Sequence, residues 1–290
     1  MIDWTIIKIL AWTESYFTQH CVDSPRLTAE ILLGFSLGIQ RLDLYLQHDR
    51  PLEKKELARY RALIKRRIAR EPVAYITGEK GFYESSFQVN QGVLIPRPDT
   101  EILVETAIDL LGPCTGPSGA KKILELGVGS GAIVVSLAKA CQGHVYFGCD
   151  LSVVALASAI ENAAILSETP IRFFQGDWFC AVKKQAIFDL IVSNPPYIPT
   201  KDIQGLAPEI KTHEPLLALD GGADGLDSIR TILENARHHL VPGGQVLIEM
   251  GYDQAEQVAS IASAFVEYET IEFIKDLAGH TRLAKVKKMN

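Results

Sequence analysis

Hydrophobic residues recur at helical spacing through the first 75 residues of the chain. Two helix faces are visible, the first formed by Ile6, Leu10, Thr13 and Phe17 and the second by Leu57, Tyr60, Ile64 and Ile68. Ser24-Pro25 is typical of an N-cap followed by a first-turn proline. Glu71-Pro72 ends the last helix because a residue before proline disfavours the helical conformation. The pattern predicts a small helical domain over residues 1–75.

The spacing of apolar residues changes to a period of two between residues 76 and 98. Gly78 and Gly81 are expected to bracket a turn. The alternating apolar positions end at Pro96, and they are Phe87, Val89, Val93 and Ile95. This pattern predicts short strands that form a β-hairpin linker over residues 76–98.

From residue 99 onward, predicted helices and strands alternate. Helices are expected over about 99–111, from about 131 and from about 152. Strands are expected at 123–126, 145–149, 171–174, 188–193, 245–249, 270–274 and 283–286. Such alternation predicts an α/β domain over residues 99–290, with a seven-stranded, mostly parallel sheet between helices on both faces. Ligands of such sheets bind beyond the carboxyl ends of the strands.

The charge of the chain narrows the choice of partners. It carries 29 Lys and Arg residues against 35 Asp and Glu residues, a formal charge of −6. This balance disfavours a general nucleic-acid binder, which normally shows a basic surplus. Residues 1–75 nevertheless carry 12 basic and 9 acidic side chains. Within them, the run Lys65-Arg66-Arg67 and Arg70 are interpreted as the solvated side of the last helix.

Cysteines and histidines are scattered along the chain. Five cysteines without a C-x-x-C pair predict reduced thiols in a cytoplasmic protein, and seven dispersed histidines predict no metal site. The start, Met1-Ile2-Asp3-Trp4, lacks the basic and apolar regions of a signal peptide. No stretch of 18 uncharged apolar residues is present, so no membrane partner is expected.

A glycine-rich loop, Gly127-Val128-Gly129-Ser130-Gly131, follows the strand at 123–126 and opens the next helix. Glycines suit a sharp turn whose backbone approaches a ligand, and a helix N-terminus presents free N–H groups. Asp150 stands at the end of the next strand, where a carboxylate can accept hydrogen bonds from both hydroxyls of a ribose. The loop and Asp150 together predict a nucleoside ligand.

The loop alone does not identify that nucleoside. Gly127-x-Gly129-x-x-Ala132 also satisfies the dinucleotide fingerprint, so a nicotinamide or flavin enzyme and a user of S-adenosylmethionine both stay open. After the third strand, Asp177 could bond an adenine amino group and Trp178 could offer an aromatic face. A tryptophan beside a strand is, however, more often part of the core.

The motif that points to a reaction is Asn194-Pro195-Pro196-Tyr197, directly after the strand at 188–193. Proline has no N–H group, so the groups offered here are acceptors, namely the Asn194 side-chain oxygen and the Pro195 carbonyl. They can hold both hydrogens of a planar NH2 group and leave its lone pair aimed at an electrophile. Because that lone pair is delocalised, the nitrogen needs positioning, and Tyr197 is expected to pack on the target group. A hydride-transfer enzyme has no use for this motif.

The loop, Asp150 and the tetrapeptide together resemble class I methyltransferases that act on exocyclic or amide nitrogen. Further segments are similar to the signature of the HemK/PrmC family, the release-factor glutamine N5-methyltransferases. These segments are Arg70 to Gly78, Phe82, Phe87, Val89, Leu94 to Glu101, Glu214-Pro215, Gly221 to Gly225 and Asp276 to Gly279. The resemblance covers residues 24 to 285.

This resemblance implies a Rossmann-like methyltransferase sheet, S-adenosylmethionine as cofactor, and the glutamine of the Gly-Gly-Gln motif of peptide-chain release factors as target. The expected cofactor-binding residues are Glu125, Gly127, Val128, Gly129, Ser130, Gly131, Asp150, Asp177, Trp178 and Asn194. The expected catalytic residues are Asn194, Pro195, Pro196 and Tyr197, which would hold the glutamine amide. The helical domain would grip the release factor. One departure is Glu125-Leu126-Gly127-Val128, where the family usually has Asp and then Thr; Glu125 should still reach the methionine amino group.

Two alternatives stay open at this point. An adenine N6-methyltransferase for DNA or RNA is the nearer one, because an adenine amino group meets the tetrapeptide in the same way. The net charge and the lack of a clear basic target-recognition domain weigh against it, since phosphate contacts dominate nucleic-acid affinity. The other is a non-catalytic or nicotinamide-binding Rossmann protein.

Overall fold

A computed structural model describes residues 4–290. Residues 1–3 lie outside the described residues. Two predictions therefore fall partly outside them: the start of the 1–75 helical domain and the absence of a signal peptide at the start of the sequence. By their internal packing, the described residues form two units. One unit consists of residues 4–78 with 207–213, and the other of residues 79–206 with 214–290.

The first unit is helical, as the sequence predicts. Its consecutive helices are α1 (Ile6–Gln19), α2 (Pro25–Leu37), α3 (Arg41–Leu46), α4 (Lys54–Ile68) and α5 (Val73–Thr77). Their apolar faces meet in one cluster, in which Ile6, Phe17 and Leu33 are fully buried. The buried Tyr60 of α4 donates its hydroxyl hydrogen to the Ala29 carbonyl of α2 at 3.1 Å. Each large apolar side chain removed from water contributes about 1.5–3 kcal/mol to stability.

The expectation for the basic run is wrong at one position. Lys65 and Arg66 are exposed, but Arg67 is buried, with 5% of its side chain accessible. Its guanidinium donates to Glu209 Oε1 at 2.9 Å, on the short helix Pro208–His213 that packs in the same unit. The partner lies 142 positions along the chain, so the sequence around Arg67 carries no sign of the pair.

The linker contains the predicted hairpin, with β1 (Glu79–Phe82) and β2 (Ser85–Gln88) paired antiparallel. Its turn lies at residues 83–84 and not between Gly78 and Gly81. Gly78 instead ends α5, because its φ of 80° permits the left-handed cap in which its N–H donates to the Ala74 carbonyl.

The strand expected beyond residue 88 is absent from this described segment. Val93 and Ile95 are both buried, yet the Ile95 N–H donates to Glu214 Oε2 at 3.3 Å in place of a strand partner. The alternating apolar pattern therefore predicted correctly which side chains are buried here, but its prediction of a strand was wrong.

The second unit is built on a seven-stranded sheet, which confirms the predicted fold class. Its strands are β3 (Lys122–Leu126), β4 (Val145–Asp150), β5 (Ile171–Gln175), β6 (Phe188–Ser193), β7 (Leu240–Glu249), β8 (Tyr268–Lys275) and β9 (Thr281–Lys288). They lie in the order β5-β4-β3-β6-β7-β9-β8. The strands from β5 to β7 are parallel, and β9 pairs antiparallel with both β7 and β8.

Helices cover both faces of this sheet. They are α6 (Glu101–Leu111), α7 (Ala132–Ala140), α8 (Val153–Leu166), α10 (Asp227–His239) and α11 (Ala255–Ser263), while α9 is the Pro208–His213 helix of the first unit. One apolar cluster includes Leu103 and Val134, and the other includes Ile232 and Val258. The chain runs outward from β3 through β4 and β5, then returns to place β6 on the other side of β3. This reversal creates the crevice at which open α/β sheets bind ligands.

Across residues 4–290, no helix combines the length and the apolar character needed to cross a bilayer. In the same range, no group of three or more His, Cys, Asp or Glu side chains is arranged to hold a metal ion. The five cysteines are free thiols.

Candidate active site

The glycine loop leaves the sheet at the end of β3 and enters α7. Gly127, Gly129 and Gly131 have φ angles of 72°, 55° and 80°, a region that residues with a Cβ rarely adopt. The Gly127 N–H donates to the Cys149 carbonyl at 2.8 Å, which ties the loop to the end of β4. A Cβ at Gly131 would lie 3.1 Å from the Ala159 Cβ, so glycine also allows α8 to pack closely.

The other two residues of the loop, Val128 and Ser130, are buried, and both also line a small cavity of about 50 Å³. Val128 belongs to the apolar core, and the Ser130 carbonyl accepts a hydrogen bond from Asn162 Nδ2 at 2.9 Å. The same Asn162 also binds the Gln88 carbonyl at 2.9 Å, so it fixes the loop against the hairpin. The sequence predicted this loop but gave no sign of Asn162 as its support.

Asp150, the last residue of β4, has both carboxyl oxygens held by backbone groups. Oδ2 accepts from the Gly129 N–H at 2.9 Å, and Oδ1 accepts from the Ser152 N–H at 2.8 Å. Burial raises the pKa of Asp150 above its usual value, and these two hydrogen bonds offset part of that rise because they favour the charged form. Each oxygen keeps a lone pair for a further donor.

A cavity of about 240 Å³ opens beside these groups. It collects predicted site residues from the carboxyl ends of four neighbouring strands, namely Gly127, Gly129, Asp150, Asp177, Trp178, Asn194 and Pro196. Because parallel strands end at the same edge of a sheet, residues far apart in sequence share one crevice.

Trp178 is partly buried: it packs against the apolar cluster that includes Ile232 and also lines this cavity. Its φ of 48° lies in the left-handed region, where a bulky side chain stores strain on the order of 1–3 kcal/mol. A Cβ on Gly127 would lie 4.0 Å from Trp178 Cζ3, which places the indole beside the glycine loop.

Glu125 lies in the wall of a smaller cavity of about 50 Å³, which shares Gly127, Gly129 and Asn194 with the larger one. Its side chain is buried, and Oε2 accepts from the Val134 N–H at 2.8 Å in the first turn of α7. Burial raises the pKa of Glu125 well above the usual value. Burial therefore favours the neutral carboxyl, whereas a cation bound beside it would favour the charged form.

The tetrapeptide follows β6 directly. Asn194 Nδ2 donates to Thr100 Oγ1 at 3.0 Å, which leaves the side-chain oxygen of Asn194 as the acceptor. Pro195 is buried, and Pro196 lines the larger cavity with Asn194. Tyr197 lies outside the lining of both cavities, and its hydroxyl donates to Glu249 Oε1 at 3.2 Å. A contact between Tyr197 and a target group stays a prediction.

An ion pair fixes the segment from Leu94 to Arg97 beside the two cavities. The Glu214 side chain, 1% exposed, pairs with Arg97 and also accepts from the Ile95 N–H. It therefore holds the segment that places Leu94 in both cavities. Glu214 belongs to the segments that carry the family resemblance, but the sequence did not predict its contact with Arg97. It also did not predict that Thr100 binds Asn194 or that Glu249 binds Tyr197.

The chain is similar to proteins of known family over most of its length. Two family models match the chain, a PrmC N-terminal domain over residues 8–78 and a methyltransferase small domain over residues 101–210. A release factor glutamine methyltransferase of Geobacter sulfurreducens is 44% identical over 260 residues, which cover 90% of this chain and 89% of that one. One of Rhodopirellula baltica is 36% identical over 292 residues, covering 98% and 97%. A methyltransferase structure from Pyrococcus furiosus, 18% identical, superposes with a TM-score of 0.52 over 79% of this chain and 96% of that chain, a likeness of fold alone.

The glycine loop by itself suits a nicotinamide enzyme equally well, so the match to the methyltransferase domain decides between the two alternatives. The molecule is an S-adenosylmethionine-dependent methyltransferase with a Rossmann-like sheet. The two curated relatives narrow this class further, because each is more than a third identical over at least nine-tenths of this chain. The chain belongs to the release factor glutamine methyltransferase family.

Proposed function

We propose that this chain transfers a methyl group from S-adenosylmethionine to the side-chain amide nitrogen, N5, of the glutamine in the Gly-Gly-Gln motif of a peptide-chain release factor. The observation that carries this proposal is the orientation of Asn194. Its Nδ2 is engaged by Thr100, while its oxygen is left to accept at the wall shared by the two cavities. An acceptor in that place suits the hydrogens of an amide NH2 group.

The residues present fit the cofactor. Asp150 has two oxygens fixed by backbone N–H groups and free to accept from the two ribose hydroxyls. Trp178 and Asp177 line the same cavity, where they would flank the adenine. Glu125 lines the smaller cavity, and the positively charged amino group of the methionine part would favour its charged form. The loop from Gly127 to Gly131, including Val128 and Ser130, would contribute its backbone.

The chain prepares the target nitrogen by holding it. S-adenosylmethionine supplies a methyl carbon that its positively charged sulfur already activates. The Asn194 side-chain oxygen and the Pro195 carbonyl accept the two amide hydrogens, which raises the electron density on nitrogen and fixes the direction of its lone pair. The N–C bond forms as the S–C bond breaks, and the surplus proton leaves to water. Positioning of this kind can lower a barrier by about 7 kcal/mol or more.

The division of labour along the chain is part of the proposal. Residues 1–75 would recognise the release factor, 76–98 would link, and 99–290 would catalyse. The helical unit exposes several large apolar side chains, each between 44% and 71% accessible, namely Trp12, Phe35, Leu42, Tyr45 and Leu46. Exposed apolar groups in such number favour a protein partner. With a formal charge of −6, we expect no nucleic-acid substrate, and the reaction would take place in the cytoplasm, where release factors act.

The test is transfer of a labelled methyl group from S-adenosylmethionine to a purified release factor. The matched control is the same factor with alanine in place of the motif glutamine. Labelling of the first factor alone supports the proposal, and equal labelling of both rules it out. Adenine-containing DNA and RNA oligonucleotides, assayed in parallel, test the adenine alternative, which predicts that the oligonucleotide and not the factor becomes labelled.

A further inference from the structure

A buried carboxyl lies behind the tetrapeptide. Glu249, the last residue of β7, is 1% exposed. Strands β6 and β7 run parallel with Ser193 beside Ile248, so Glu249 lies level with the first residue of the tetrapeptide. Its Oε1 accepts from the Tyr197 hydroxyl, whereas its Oε2 has no hydrogen-bond partner among residues 4–290. A buried carboxyl that is only partly satisfied is costly, so its presence calls for a reason.

Thr100 connects this carboxyl to Asn194. The Thr100 hydroxyl is buried and accepts from Asn194 Nδ2. It lies near Glu249 but makes no full hydrogen bond to Oε2 in the structure; a hydrogen turned from Thr100 toward that carboxyl favours its charged form and lowers its pKa. A hydroxyl group has one hydrogen to give. If Thr100 gives that hydrogen to a carboxylate, its oxygen can only accept from Asn194. The Asn194 amide is then held with its nitrogen inward and its oxygen toward the cavities.

We propose that Glu249 is a positioning residue for methyl transfer, whose carboxylate directs the Thr100 hydroxyl, and through it the Asn194 amide, while it anchors the Tyr197 hydroxyl. This inference rests on the proposed function, since it requires the Asn194 oxygen to accept from the target amide. A neutral group at position 249 could give a hydrogen to Thr100, whose own hydrogen would then turn toward Asn194. The Asn194 amide would then rotate so that its NH2 group, and not its oxygen, faces the NH2 group of the target. No hydrogen bond could form between them, because both groups are donors.

Two charged groups, Asp99 before α6 and Arg282 of β9, act on Glu249. Burial raises the pKa of Glu249 to about 7, and Asp99 before α6 adds to the rise, while Arg282 of β9 and the Thr100 and Tyr197 hydroxyls lower it. Arg282 shares its charge between Asp99 at 2.8 Å and Asp276 at 2.9 Å. Burial also raises the pKa of Tyr197, so its hydroxyl stays a donor. The carboxylate forms as pH rises through about 7, and kcat should rise with it.

The experiment compares the full-length chain with Glu249→Gln, which keeps the shape and removes the carboxylate. We expect kcat for labelling of the release factor to fall roughly 10- to 100-fold, as misplaced reacting groups cause. The rise of kcat with pH near 7 should disappear, while the Kd of S-adenosylhomocysteine stays unchanged. The control is Glu272→Gln on β8, an exposed carboxylate that pairs with Lys285, which should behave as the original chain does.

Two substitutions at Thr100 keep the inference testable if Glu249→Gln does not fold. Thr100→Val removes the hydroxyl and should lose kcat to a similar extent, whereas Thr100→Ser keeps the hydroxyl and should retain it. Equal activity of the valine and serine variants would overturn the inference. So would an unchanged kcat in Glu249→Gln, or a lower kcat with the original pH rise intact. If the unaltered chain labels no release factor, the proposed function itself fails, which is a separate result.

Discussion

Replacing Asp150 by alanine should weaken cofactor binding far more than it slows methyl transfer at saturating cofactor. The carboxylate has both oxygens oriented by the N–H groups of Gly129 and Ser152 at 2.9 and 2.8 Å. The hydroxyls of a bound ribose would therefore meet acceptors that need no rearrangement. Asp150 lines the cavity at the end of β4, on the other side of β3 from the tetrapeptide that follows β6, so its loss should leave the target amide in place.

The magnitude follows from the two hydrogen bonds that Asp150 would make to the cofactor. A hydrogen bond to a charged group is worth about 1.5–3 kcal/mol, so losing two should cost at least about 3 kcal/mol. Since about 1.4 kcal/mol corresponds to a tenfold change, the Kd should rise roughly 100-fold or more. Because the alanine also leaves the Gly129 N–H without its acceptor, a small loss of stability should accompany the change.

Isothermal titration calorimetry with S-adenosylhomocysteine measures this effect directly. Asp109→Asn on α6 serves as the control, since that aspartate is exposed and lies outside the lining of either cavity. An unchanged Kd in Asp150→Ala would refute the assignment of the ribose to this carboxylate. A normal Kd with a low kcat would instead place Asp150 in the transfer step.

Three further predictions concern other parts of the molecule. Asn194→Ala should abolish labelling of the release factor in a single-turnover assay, and full turnover would contradict its role as acceptor. Glu209→Ala should lower the free energy of unfolding by roughly 3 kcal/mol, because it leaves the buried Arg67 unpaired, whereas the exposed Glu234→Ala should change urea unfolding little. Burial raises the pKa of Glu125 in the folded chain, so its neutral carboxyl favours the folded state at low pH. That stabilisation is lost as pH rises through the raised pKa, because the buried carboxyl then becomes charged. The Glu125→Gln variant should therefore have a higher melting temperature than the original chain at alkaline pH without ligand. S-adenosylhomocysteine should raise its melting temperature by less than it raises that of the original chain. An equal rise in both would exclude a contact between Glu125 and the methionine part.

The sequence predicted those parts of the fold whose cause is local. The run from Ile123 to Leu126 is continuously buried because a central parallel strand is covered on both faces, and its three apolar residues around Glu125 made it visible in the sequence. The turn after it needed glycine at Gly127 and Gly129, whose φ angles are positive. The strand predicted around Val93 and Ile95 is wrong because alternating apolar residues indicate burial and not strand pairing. An irregular segment, here held by Glu214, can also bury alternate residues.

The contacts that orient the site depend on the sheet order, and no local pattern reveals them. Thr100 binds Asn194 across 94 positions, and Glu249 binds Tyr197 across 52. These pairs exist because β6 and β7 are neighbours in register and because the turn before α6 lies at the same sheet edge. Several residues that line the cavity could be predicted from the sequence, whereas the residues that hold them in place could not.

In the proposed reaction, the acceptors at Asn194 and Pro195 account for the reacting nitrogen but not for the choice of substrate. Two acceptors hold any planar NH2 group, whether it belongs to a glutamine or to an adenine, because both present two hydrogens in one plane. Discrimination between them must come from differences in affinity made elsewhere, where the rest of the substrate is bound. The exposed apolar side chains of the helical unit supply such a surface for a protein, and the net negative charge disfavours a nucleic acid. The proposed function therefore predicts that substitutions of these exposed side chains raise KM for the release factor without altering the transfer step.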